Sequence, residues 1–238
     1  MPTVILVRHG RSSANATGVL AGRLPGVHLD DAGVQQAVAV GERLAGVRLA
    51  AAVSSPLERC RETAREITSR QAGTLRAGTD KQLSECDYGE WQGRALKELA
   101  REKLWKTVQA QPSAATFPGG ESMRAMQDRA VAAVRRHDAR VAAEHGPDGV
   151  WLAVSHGDVI KSILADALGT HLDLFQRIHV DPASVSIVRY TESRPFVIGT
   201  NTHAGDLSWL TPPRRKARGR RRTDAEVGGG AGPQTGTP

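Results

Sequence analysis

The chain is expected to fold as a three-layer α/β domain, a mostly parallel sheet between helices on both faces. Three observations carry that expectation. Val4-Ile5-Leu6-Val7 and Val150-Trp151-Leu152-Ala153-Val154 are continuous apolar runs that read as strands buried on both faces. Helical periodicity follows such runs. And each run stops at a charged or titratable residue, where open α/β sheets place their ligand sites. The 238 residues suit one such domain, and 39% hydrophobic content supports a sizeable core.

The first strand covers residues 3–7 and ends at Arg8-His9-Gly10. A long loop over residues 9–29 follows, with Ser12, Ser13 and Asn15 close behind the histidine. Asp30 or Asp31 caps a helix that runs to about Ala45, with Val34, Ala37, Val38, Gly41 and Leu44 on its apolar face. The second strand is placed at residues 49–53. Ser55-Pro56-Leu57-Glu58 then reads as a helix start with Ser55 as cap, so that Arg59 falls in the first turn. A short strand is expected near residues 74–76, a loop at 83–93, and a helix over 96–108. Phe117-Pro118-Gly119-Gly120 breaks the pattern, and Glu121 or Ser122 opens a long helix to about Glu144. The helices between Leu96 and Glu144 are expected to cover the site partly, as a cap. After the strand at 150–154, Ser155-His156-Gly157-Asp158 leads into a helix over 159–168. Residues 184–189 and 196–200 read as a final hairpin.

The domain is assigned to residues 1–211, and 212–238 to a disordered basic tail. The formal charge of +7 is mostly a tail property. Arg214, Arg215, Lys216, Arg218, Arg220, Arg221 and Arg222 lie there, against only Asp224 and Glu226. Nucleic acid is therefore not an expected partner, beyond weak contact through that tail. Ending the chain after Thr211 is expected to leave activity intact. No run is long enough to span a membrane, and Cys60 and Cys86 lack metal-ligand spacing. They read as buried thiols of a cytoplasmic protein. A homodimer is compatible with the sequence.

Three strand ends thus deliver Arg8 with His9, Arg59, and His156, and a loop delivers Glu85. Two guanidiniums match the oxygens of a phosphoryl group. Gly157 allows close approach to a helix N-terminus. His9 could attack phosphorus, and Glu85 could protonate the leaving oxygen, with Asp87 and Glu90 as alternatives for that role. No metal or other cofactor is required.

These residues resemble the histidine phosphatase superfamily, which includes phosphoglycerate mutases and many phosphatases. The likeness runs through Val7-Arg8-His9-Gly10, Asn15, Ser54-Ser55-Pro56 with Arg59 and Thr63, Pro118-Gly119-Gly120-Glu121-Ser122 and Val154-Ser155-His156-Gly157. It implies a phosphoglycerate mutase-like fold, with His9 as nucleophile and Arg8, Arg59 and His156 holding phosphoryl oxygens. It also implies Asn15 as a further contact and Glu85 as proton donor. Tyr88 matches a substrate-contacting tyrosine of the mutases, and Gly22 and Arg23 lie where the family's loop borders the pocket.

The sequence departs from that pattern at Arg11, Ser12 and Ala14, where an acidic residue, Thr and Trp are common. The interval from Glu85 to His156 is short for a mutase. Its only adjacent arginines, Arg135 and Arg136, fall inside the long helix. The expected activity is therefore metal-independent hydrolysis of a small phosphorylated substrate. A phosphomutase is the alternative, and a non-catalytic phosphate-binding module the alternative of another class.

Overall fold

Alternate residues of the central strands face opposite helical layers. The structure, a computed structural model, describes residues 2–203 and Gly228. Apart from that glycine, the expected tail at 212–238 lies outside the described residues. The strands are β1 (Thr3–Arg8), β2 (Ala51–Ser54), β3 (Gly78–Thr79), β4 (Val150–Ser155), β5 (Val185–Tyr190) and β6 (Pro195–Thr202). The helices are α1 (Ser13–Thr17), α2 (Asp31–Leu44), α3 (Glu58–Thr68), α4 (Leu96–Leu99), α5 (Lys103–Ala110), α6 (Met123–His145) and α7 (Gly157–Ala167).

The sheet order is β3-β2-β4-β1-β5-β6. Strands β3, β2, β4 and β1 are mutually parallel, β5 is antiparallel to β1, and β6 is antiparallel to β5. Val4, Leu6, Trp151 and Ala153 pack with Met126, Ala130 and Val134 of α6 and Val159 and Ile163 of α7. Ile5, Val7, Leu152 and Val154 pack on the other face with Val40 and Leu44 of α2 and Ala64 and Ile67 of α3. Each large aliphatic side chain so buried contributes about 1.5–3 kcal/mol, and the two faces together set the register of β1 and β4.

Several elements differ from expectation. The loop after His9 contains α1, because Ser12 and Asn15 form a reciprocal capping box. On α2 the apolar face is turned: Val34 is exposed and Val40 buried. The third strand lies at Gly78–Thr79, not at 74–76. The expected helix over 96–108 is two, since Glu102 takes an extended conformation and pairs with Arg94. Helix α3 begins at Glu58, with Leu57 rather than Ser55 in the cap position. Asp30 and Ser122 cap α2 and α6 as their sequences suggest, accepting from the amides of Gly33 and Ala125.

Candidate active site

Strand β1 carries Arg8 to the carboxyl edge of the sheet, and the chain turns sharply at Gly10. Here two backbones meet. A Cβ on Gly10 would lie 2.3 Å from the Gly33 carbonyl oxygen, and one on Gly33 would lie 1.9 Å from that of Arg11. The Gly10 amide is anchored to Thr63 Oγ1 at 3.1 Å. That packing fixes the direction of His9. Its Nδ1 lies 2.7 Å from the Gly10 carbonyl, so Nδ1 carries the proton and donates it there. Nε2 is left with a lone pair, which accepts from Arg59 Nε at 3.3 Å.

Arg59 stands in the first turn of α3 and is 2% exposed. Its Nη2 donates to the Gly22 carbonyl at 2.8 Å and lies 3.2 Å from His156 Nδ1. Its Nη1 is buried without a partner among the described residues. A buried guanidinium donor with nothing to bind is costly unless an anion completes it. His156 presents Nε2 to Ser55 Oγ at 2.8 Å. Ser55 therefore orients this histidine instead of capping a helix. The two imidazoles are 5.2 Å apart, edge to face. Burial first, and then Arg59, hold both His9 and His156 well below the usual imidazole pKa.

Arg8 is fully buried and donates from Nη1 to the Val180 carbonyl at 2.9 Å. Glu85 sits between a one-turn helix at Lys81–Leu83 and a second at Gly89–Trp91. Its Oε1 accepts from the Cys86 amide at 2.9 Å. Burial, and next the Asp158 carboxylate, push the Glu85 carboxyl up to about 7. Asp87 and Glu90 do not share this setting. Asp87 is half-buried and engages Arg23 and the Gly89 amide, and Glu90 is exposed.

The remaining expected residues divide. Gly22 receives Arg59, as above. Gly157 opens α7, and a Cβ there would come within 3.4 Å of Arg8 Nε. Tyr88 is fully buried, packs edge-on against Phe117 and donates to Asp158 Oδ2 at 2.8 Å. Asn15 is half-buried, and its Oδ1 belongs to the capping box. Arg23 is a scaffold rather than a free cation: it donates to the Glu85 carbonyl at 2.8 Å and to Glu121 at 2.8 Å. Arg129 of α6 grips the same two partners. Helix α6, part of the segment expected to cap the site, thus reaches it by holding the Glu85 loop.

Sequence reasoning missed Asp158, Ser55 and Cys60 as neighbours of these groups. Asp158 is visible in sequence only as an acid in the first turn of a helix. Cys60 Sγ lies 3.4 Å from His156 Nε2, with its thiol pushed up to about 12 by burial, so it packs as a neutral group. Among the described residues, no group of three His, Cys, Asp or Glu side chains could hold a metal ion.

The model of the histidine phosphatase superfamily (branch 1) matches residues 4–203. The chain is 35% identical over 164 residues to phosphoglycerate mutase-like protein 4 of Arabidopsis thaliana, covering 67% of this chain and 68% of the relative. A probable phosphoglycerate mutase of Salmonella choleraesuis is 32% identical over 217 residues, with 90% and 97% covered. A bifunctional protein of Mycobacterium tuberculosis is 35% identical over 191 residues, covering 79% of this chain and 50% of that protein. Among solved structures, a putative α-ribazole-5'-phosphate phosphatase from Escherichia coli has a TM-score of 0.72 at 25% identity, covering 84% of this chain and 96% of that one. A mycobacterial glucosyl-3-phosphoglycerate phosphatase complexed with VO₃ has a TM-score of 0.73 at 25% identity, covering 84% and 99%.

Proposed function

Because the chain belongs to the histidine phosphatase superfamily, we propose that it hydrolyses the phosphomonoester of a small phosphorylated metabolite through a phosphohistidine on His9. One observation carries this reading. The bare Nε2 of His9 lies beside a guanidinium whose buried Nη1 has no partner among the described residues. A phosphoryl oxygen would complete Arg59 while placing phosphorus before the imidazole.

In the first step Nε2 attacks phosphorus and the P–O bond to the alcohol breaks. Glu85, protonated, gives its proton to the departing oxygen. Arg8, Arg59 and the amides at the start of α7 take up charge on the equatorial oxygens. Water then attacks phosphorus, Glu85 as carboxylate receives its proton, and the P–N bond breaks to release phosphate and neutral His9.

The names of the similar structures favour small esters: an α-ribazole phosphate and a glucosyl-phosphoglycerate. The mutase-like relatives keep phosphoryl transfer to a second hydroxyl as the other reading. Against it, Arg135 pairs with Asp166 and covers Tyr190, and Arg136 pairs with Asp80. Neither arginine is placed to grip a second anionic group beside His9.

The test is turnover of an aryl phosphate, with a quench to trap the enzyme. His9→Ala should lose about 10³-fold or more, and the acid-labile label on the protein should vanish. Undiminished turnover in that variant would overturn the proposal. Isomerised phosphoglycerate with little free phosphate would favour the mutase.

A further inference from the structure

Gly228 lies 220 positions from Arg8 in sequence, yet its carbonyl accepts from Arg8 Nη2 at 3.3 Å. Its amide donates to Asp158 Oδ2 at 2.9 Å, the same oxygen that accepts from Tyr88. One glycine therefore bridges the cation at the end of β1 and the anion in the first turn of α7. The approach is close on both sides. A Cβ on Gly157 would stand 3.0 Å from the Gly228 oxygen, and one on Gly228 would stand 3.0 Å from Leu20 Cδ1 and 3.6 Å from the Tyr88 hydroxyl. Gly228 also has a φ of +75°, which side chains rarely adopt.

We propose that Gly228 is a positioning residue of the phosphoryl site, its backbone aligning Arg8 and holding Asp158 through Oδ2. Arg8 is then held at Nη1 by Val180 and at Nη2 by Gly228, which fixes the plane of the guanidinium. Asp158 Oδ2 thus accepts from both the Gly228 amide and Tyr88, while its ion-pair neighbour Lys161 stands 3.6 Å from Oδ1. The missing side chain of Gly157 leaves room for the Gly228 carbonyl beside Arg8. The inference rests on the phosphoryl-transfer reading above, and it reverses the expectation that the chain could end after Thr211 without loss.

The experiment uses the full-length chain. Inorganic phosphate binding is measured by calorimetry, and kcat/KM with an aryl phosphate, for Gly228→Val and for Gly73→Val. Gly73 also has positive φ, at +95°, but nothing lies within 4 Å of its Cβ direction. Gly228→Val should bind phosphate about tenfold more weakly and lose kcat/KM by a similar factor, as expected when a charge-assisted contact is disturbed. Gly73→Val should match the unmodified chain in both. Partial unfolding would lower the number of binding sites and leave the phosphate affinity unmoved, so affinity is the deciding readout. Gly228→Ala, a milder change, should shift affinity the same way and serves if the valine variant does not fold. Unchanged affinity in a folded Gly228 variant overturns the proposal, and tighter binding overturns it by making Gly228 a competitor of phosphate. If the unmodified chain binds no phosphate at all, the reading of the site itself fails.

Discussion

A nucleophilic imidazole works only while it is neutral, and a carboxyl group donates a proton only while it holds one. His9 and Glu85 meet these opposite demands in one buried space. Burial and two arginines keep His9 unprotonated, and its Nδ1–H bond to Gly10 aims the lone pair of Nε2. The same burial, helped by Asp158, keeps Glu85 protonated up to about pH 7. The expected consequence depends on the leaving group. With an alkyl phosphate, turnover should fall as pH rises through about 7, because Glu85 then loses its proton. Glu85→Gln should cost about 10²–10⁴-fold on that ester and far less on 4-nitrophenyl phosphate, whose alcohol leaves unaided. Matching losses on both esters would sink the assignment. The placement of this set is legible residue by residue, since Arg8 ends a strand and His9, Arg59 and His156 come after one. Their order of contact is not. Nothing in the local sequence says that Ser55 meets His156 rather than capping α3, because that contact joins segments 101 positions apart.

At the scale of elements, the site depends on how closely α2 approaches the exit of β1. Gly10 and Gly33 touch backbone to backbone, so neither contact can relax by a side-chain rotation. Gly33→Ala should destabilise the fold by about 2–4 kcal/mol in denaturant unfolding. Gly46→Ala, with open space around it, should change stability by no more than about 0.5 kcal/mol. Equal effects of the two would mean that the approach of α2 does not constrain the turn. Elements with local signals were read well: Asp30 and Ser122 announce their helices through side-chain caps. Elements without such signals are not legible in this way. Strand β3 has two exposed residues and no apolar alternation, and the break between α4 and α5 is set by the Arg94–Glu102 pair rather than by glycine or proline.

For the whole molecule, the buried titratable groups make stability depend on pH in a definite direction. His9 and His156 have folded pKa values below their unfolded ones, burial being the main cause. Their contribution is complete above about pH 6.5 and is lost as pH falls, because only the unfolded chain then binds those protons. Glu85 works oppositely: its contribution is present below the unfolded value and lost as pH rises through about 7. Two histidines outweigh one glutamate between about pH 5 and 6.5, so unfolding free energy should be lower at pH 5 than at pH 7.5. Asp181 adds to this trend at lower pH. Although burial pushes it up, hydrogen bonds from His179, His203 and Asn201 hold its carboxyl well below the usual range. His9→Asn should shrink the drop between the two pH values. An undiminished drop in that variant would show that His9 is not held neutral by the fold.

What the order of residues determined alone is the layered α/β architecture and the types of group at three strand ends. Apolar periodicity and abrupt polar stops are properties of neighbouring residues, and neighbours are what a linear reading can compare. What tertiary structure decided is which partner each group finds. Arg23 joins the Glu85 loop, Asp158 raises Glu85, and Gly228 meets Arg8 because separate segments converge at one sheet edge. Desolvation sets the protonation of that site, and it exists only once those distant segments have together excluded water.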